Sequence, residues 1–191
     1  NQPLRDLLEE TIDFESIKQN ISSGLLDALI ITAASYEQKQ SVSFFSTSND
    51  VANWQKVGRS GRQSEIKIET LMASVALPLI FPAVMIDGNY YGDGAMRQET
   101  PLSPTIRLGS TNLLIISTES SGENSNQQSG MRYPNISEIG GYILDGLFSG
   151  SLYSDLERLD RINQVIALND KQKVYTKTKE MRQIDCLVIS P

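Results

Sequence analysis

The stretch IDGNYYGDGAMRQETPL, residues Ile86 to Leu102, decides how this chain is read. Asp87-Gly88 separates the apolar run AVMI from NYY, the strongest short-range signal for a β-hairpin. The second arm then runs into Asp93, a lone carboxylate held between Gly92 and Gly94. Aspartate before glycine is common in turns and caps. Loops at strand ends are also where open α/β sheets build their sites. Glycines on both flanks leave room for another backbone or a substrate to approach closely. A carboxylate so placed can take a proton from a hydroxyl nucleophile.

The elements around this hairpin alternate. PLRDLLEETIDFESIKQNI reads as helix, with Pro3 in its first turn and Leu4, Leu7, Leu8 and Ile12 at helical spacing. DALIITAASY reads as a buried strand and the alternating SVSFFSTS as its neighbour. Asn49 to Ser64 is polar and reads as a solvated loop. Its Lys56, Arg59 and Arg62 are the candidates for contact with an anionic group. EIKIE reads as extended, and ETLMASVALPLIFP as a helix ended by Pro78 and Pro82. NLLIIST and IDCLVIS read as buried strands, the former with the continuous apolar character that parallel sheets prefer. A polar low-complexity segment, ESSGENSNQQSGMRYP, lies between them. A long helix follows from about Ser137, with Leu152, Leu156, Leu159, Ile162 and Ile166 on one stripe. Gly140 and Gly141 within it suggest close helix packing. KQKVYTKTKEMR is charged and is expected to be mobile. The expected class is α/β, a sheet with helices on both faces.

Composition narrows the chemistry. The 191 residues are 39% hydrophobic and 21% charged, enough for a real core and too ordered in character for a disordered chain. A net charge of −6 and a pI near 4.7 argue against nucleic acid and against an electrostatic hold on anionic lipid. The single cysteine, Cys186, excludes an internal disulfide and reads as a buried small apolar residue. No secretory signal and no run of about 18 apolar residues occurs, so no spanning helix is expected. Few cysteines and no export signal suit the cytoplasm. The histidine count is zero. Ser-His-Asp and Cys-His units and histidine metal sites are therefore excluded. Acid–base work at neutral pH must rest on a carboxylate, a lysine, a tyrosine or the terminal amine.

Competing motifs fail on their own terms. DGNYYGDGAMRQ puts Asp87, Asn89 and Gly92 at the first, third and sixth places of an EF-hand loop. Tyr91 and Gln98 then occupy places that need oxygen ligands, so no metal is expected. Ser64 and Lys67 have S-x-x-K spacing, but in an alternating stretch that points them to opposite faces. No G-x-S-x-G elbow occurs, since Arg62 follows Gly58-Arg59-Ser60-Gly61.

The block LMASVALPLIFPAVMIDGNYYGDGAMRQETPLSPTIRLGSTNLLIIS, Leu71 to Ser117, resembles the C-terminal half of bacterial patatin-like phospholipases. The features shared are Asp93-Gly94-Ala95, the Ala-Ser run, Pro78, Phe81-Pro82 and Thr100-Pro101-Leu102. Weaker similarity covers PLRDLLEETIDFESI and SDLERLDRIN. The resemblance implies a patatin-like (flavodoxin-like) three-layer α/β/α sandwich, incomplete at its N-terminal side, with residues 1–191 as the C-terminal portion of one domain. It implies a lipid acyl-ester hydrolase with a Ser-Asp dyad and no cofactor. Asp93 would be the general base, with Gly92, Gly94 and Ala95 its motif neighbours. The Gly-rich loop and the nucleophile elbow, which precede this region in the family, are absent from this sequence. The nucleophile is thus expected from an upstream segment, and the non-Met start favours an excised portion over a degenerate homologue. Alone, the chain is expected to be inactive, and to join the missing segment or self-associate through an exposed sheet edge along DALIITA and NLLIIS. The alternative is an inactive patatin-like module that binds lipid or protein. Mixed charge on the long helix favours packing on the sheet over peripheral contact with a membrane.

Overall fold

A computed structural model describes residues 2–117, 135–148, 151–169 and 182–190. The low-complexity segment and all of KQKVYTKTKEMR except Arg182 lie outside them. The chain divides into two compact units, residues 1–108 and 109–191. The mixed α/β class expected from the sequence is what is found.

The first unit opens with two helices where the sequence suggested one, α1 (Gln2–Thr11) and α2 (Phe14–Ser22). The break is chemical. Asp13 leaves the helix to cap α2, its Oδ1 accepting from Ser16 N at 3.0 Å and its Oδ2 from Ser16 Oγ at 2.6 Å. β1 (Ala28–Ser35) and β2 (Gln40–Thr47) pair antiparallel along their whole length. The Asn49–Ser64 segment corrects the sequence reading: it is not a loop but carries β3 (Trp54–Lys56) and β4 (Arg59–Gln63), turned at Gly58 with φ +71. β4 pairs parallel with β2, and β3 closes that edge. Polar composition hid these strands because their anchor is one aromatic. Trp54 stacks on Phe45 with ring centroids 4.9 Å apart and lies over Gly61, where a Cβ would collide with the indole. The Arg107 guanidinium covers the ring from beyond, 5.3 Å from its centroid.

The cationic cluster in this hairpin is dispersed, since residues three apart on a strand face opposite sides. Arg59 donates to the Thr100 hydroxyl, and Arg62 lies 3.8 Å from Asp87. EIKIE is also not a strand: Lys67 is the N-cap of α3 (Ile68–Ser74). Arg5 of α1 reaches Glu69 of α3 at 2.7 Å.

The hairpin read from Asp87-Gly88 is present as β5 (Val84–Ile86) and β6 (Asn89–Asp93), with both turn residues at positive φ. The sheet order is β3-β4-β2-β1-β6-β5. Its core face gathers Ala33, Val42, Phe44 and Tyr91 against Ile66 and Ala73, and Phe44 meets Tyr91 edge-on at 5.2 Å. β6 pairs with β1 only over Ala33–Ser35. Ala28 to Ile31 therefore have no strand partner on that side among the described residues.

The second unit holds α4's successor elements; α4 itself (Ser103–Arg107) closes the first. β7 (Asn112–Ile116) and β8 (Asp185–Ile189) form a parallel pair, as the apolar run of β7 suggested. Their burial departs from expectation: Leu114, Ile116, Leu187 and Ile189 are exposed, and so is Cys186, read from sequence as buried. A two-stranded sheet cannot cover both of its faces. The helical region is α5 (Ile136–Phe148) and α6 (Ser151–Asn169). Asn135 and Glu138 cap α5 reciprocally at 2.7 and 2.8 Å. A Cβ on Gly140 or Gly141 would touch nothing among the described residues, so the close packing expected there is not found. Leu159 is the most buried of the predicted stripe, while Ile162 is exposed. Asn163 grips the backbone of Ile184 with both ends of its amide, at 2.7 and 3.1 Å, and ties α6 to the start of β8.

Gly61→Ala should displace the indole and cost about 1–3 kcal/mol of stability. Because Trp54 is the only tryptophan, its emission should shift to the red, and an unshifted spectrum would contradict the stacking role assigned to Gly61.

Candidate active site

Asp93 closes β6 opposite Ala33 of β1. Three backbone contacts set its position. Its own N–H donates to the Ala76 carbonyl at 3.0 Å, which ties the strand end to the turn after α3. Its Oδ1 accepts from Ala95 N at 2.9 Å, capping a short 3-10 helix, Gly94–Arg97. Gly94 is buried, and a Cβ there would run into the carbonyl oxygen of Thr32 on β1. The second flanking glycine meets a side chain instead, since a Cβ on Gly92 would lie 2.6 Å from the Tyr36 hydroxyl oxygen. The room that the glycines create is thus taken by the protein's own β1 backbone and by Tyr36. Ala95 is exposed and contributes its N–H.

Among the described residues, that N–H is the one donor to the Asp93 carboxylate, and no hydroxyl is bonded to it. Oδ2 remains able to accept a proton or a hydrogen bond. Asp93 is partly buried, and burial raises its pKa above the ordinary carboxylate value; the Ala95 N–H opposes this more weakly. A base needs both properties: affinity for a proton and an oxygen free to take it.

Leu77 O accepts from Ile80 N at 3.3 Å and Phe81 N at 2.9 Å, curling the chain just past the Ala76 tether. At the bend, Leu79 adopts φ +69 and is 96% exposed, with Ile80 exposed beside it. On the hairpin, Met85 and Tyr90 are also exposed, but on the opposite face, since Tyr90 lies three residues before Asp93 on β6 and Met85 pairs with it. Sequence reasoning missed the Ala76 carbonyl, the Thr32 carbonyl and Leu79. The prolines at 78 and 82 marked the bend, but a backbone tether carries no residue signature. Among the described residues no group of three or more His, Cys, Asp or Glu side chains could hold a metal ion, and no helix is long and apolar enough to cross a membrane.

A family model described as patatin-like phospholipase matches residues 1–106, a stretch lying wholly within the first unit. No curated protein and no solved structure matches the chain.

Two outcomes follow for the strand end. Gly94→Ala should destabilise the first unit by about 2–3 kcal/mol, since the obstacle is backbone and cannot swing aside; an unchanged urea midpoint would contradict the contact. The second concerns pH. The folded chain holds the Asp93 proton to higher pH than the unfolded chain does. Its contribution to stability is therefore complete below the unfolded pKa and lost as pH rises through the folded one. Asp93→Asn should therefore be more stable than the parent at pH 7, with the difference closing below about pH 3.5. An asparagine form less stable than the parent at neutral pH would reverse the sign.

Proposed function

The chain belongs to the patatin-like phospholipase family, and from that membership we propose that the intact protein is a lipid acyl-ester hydrolase of the phospholipase A or lysophospholipase type, with Asp93 as general base. The observation that carries the reading is the partly buried carboxylate at the end of β6, with Oδ1 engaged and Oδ2 unoccupied. Members of the family are generally ester hydrolases. The nucleophilic serine comes from a segment upstream of this chain, and residues 1–191 form the C-terminal portion of the domain.

The reaction proceeds in two balanced steps. The serine hydroxyl adds to the ester carbonyl as its proton passes to Asp93. That proton then goes to the departing alkoxide, leaving an acyl-serine. Water attacks the acyl-serine, again losing its proton to Asp93, and the fatty acid departs as the serine hydroxyl is restored. No cofactor enters. Leu79 and Ile80, at the bend that follows the Ala76 tether, offer exposed apolar surface for the acyl chain, and their exposure suits peripheral contact with a lipid surface.

The unpaired edge of β1 supports the origin of the serine. It runs from Ala28 to Ile31, in line with β6, and stops where Asp93 begins. A strand added there would satisfy its backbone and bring its own end to the carboxylate. The isolated 191 residues are accordingly inactive and prone to pair through that edge.

In the intact protein, Asp93→Asn should lower kcat for a short-chain p-nitrophenyl ester by about 10²–10⁴-fold, with a smaller change in KM. Equal turnover in both forms would eliminate the base assignment.

A further inference from the structure

A second site lies away from Asp93, where α2 crosses the far end of β2 and β4. Phe14, Ile17 and Ile21 recur on one side of α2 and, with Ile66, line a groove of about 330 Å³. Ile21 and Ile66 are buried, so the apolar lining is part of the fold's own core. The volume is that of a ligand site for a small molecule. Ser46 and Gln63 border the groove at the end of the sheet. Ser46 is four residues along β2 from Val42, the residue in register with Ala33 and Asp93. At about 3.3 Å per residue the groove is ~13 Å from the carboxylate's row.

Two polar features make this more than a dent. The Ser64 hydroxyl, which lines the groove, is buried and has no hydrogen-bond partner. A buried hydroxyl left unpaired costs free energy that a bound acceptor would recover. Lys18 and Glu65 stand on the same lining. Glu65 is shared by two ammonium groups, Lys18 at 3.5 Å and Lys67 at 3.6 Å. Lys67 stands outside the lining, so it can hold the Glu65 carboxylate while Lys18, the one cation on the groove among the described residues, turns to a ligand. Lys18 is 63% exposed, and its long 3.5 Å contact with Glu65 is one that an anion in the groove can replace.

We propose that this groove binds the anionic head and apolar chain of a single-chain amphiphile, the chain lying along Phe14, Ile17, Ile21 and Ile66 and the head taken by Lys18 and the Ser64 hydroxyl. The site stands independently of the hydrolase reading. A free fatty acid and a monoacyl phosphate share this chemistry, and the experiment separates them.

Calorimetric titration of the intact protein with dodecanoate, dodecyl phosphate and dodecanol, each below its micelle concentration, tests it. At least one anion should bind ten-fold or more tightly than dodecanol, and the preferred anion identifies the source. Lys18→Glu, a surface change, should weaken that binding at least ten-fold, and Ser64→Ala several-fold. Asp93→Asn should leave it unchanged, which separates this groove from the candidate active site. Binding of dodecanol as tight as either anion, full affinity in Lys18→Glu, or loss of binding in Asp93→Asn would each overturn the assignment.

Discussion

The approach of the Gly94 backbone to the Thr32 carbonyl is the constraint on which the site depends. It lets the chain turn off β6 while still pressed against β1, and so fixes where the sheet stops and the carboxylate starts. The Asp93 N–H bond to Ala76 O holds the same point from the side of α3. With the backbone gripped on two sides, the side chain needs only the Ala95 N–H to orient it. Rigid placement of this kind would serve the proposed proton transfer, because little has to be reorganised when a proton moves.

Electrostatics follow from the same geometry. Packing at the strand end removes water from the carboxylate and raises its affinity for a proton. This chain has no histidine, and in the proposed reading burial gives Asp93 the proton affinity that an imidazole would bring by itself. The contrast with Glu69 is instructive. That carboxylate is equally part of the first unit, but the Arg5 guanidinium beside it lowers its pKa. Its stabilising share is present above the ordinary glutamate range and lost as pH falls. One carboxylate is held charged as structure, and the other is held reluctant to be charged.

Much of this was legible in the sequence where the signal is local. Asp87-Gly88 specified its hairpin through the positive φ that both residues adopt, and the apolar runs marked β1, β2 and β7. Asp93 stood out by its glycines. What the sequence concealed was long-range. β3 and β4 are polar strands held by one stacked indole and one bare glycine, and neither is a periodicity. The split between α1 and α2 turned on whether Asp13 capped a helix or continued one. β8 looked buried because it is apolar, yet its exposure depends on what lies over it, which no local pattern encodes. At the site, the tethers are carbonyl oxygens of Ala76 and Thr32, groups that every residue carries.

The central claim is that the carboxyl group of Asp93 takes a proton from a serine supplied by an upstream segment. A crystal structure of the intact protein after labelling with an alkyl fluorophosphonate tests it most directly, because the label marks the nucleophile without presupposing which residue it is. The account predicts a labelled serine whose Oγ lies within about 3.2 Å of an Asp93 carboxylate oxygen, at the end of a strand paired along Ala28 to Ile31. A labelled residue remote from Asp93, or an Asp93 side chain bonded only to backbone with no hydroxyl in reach, would contradict it.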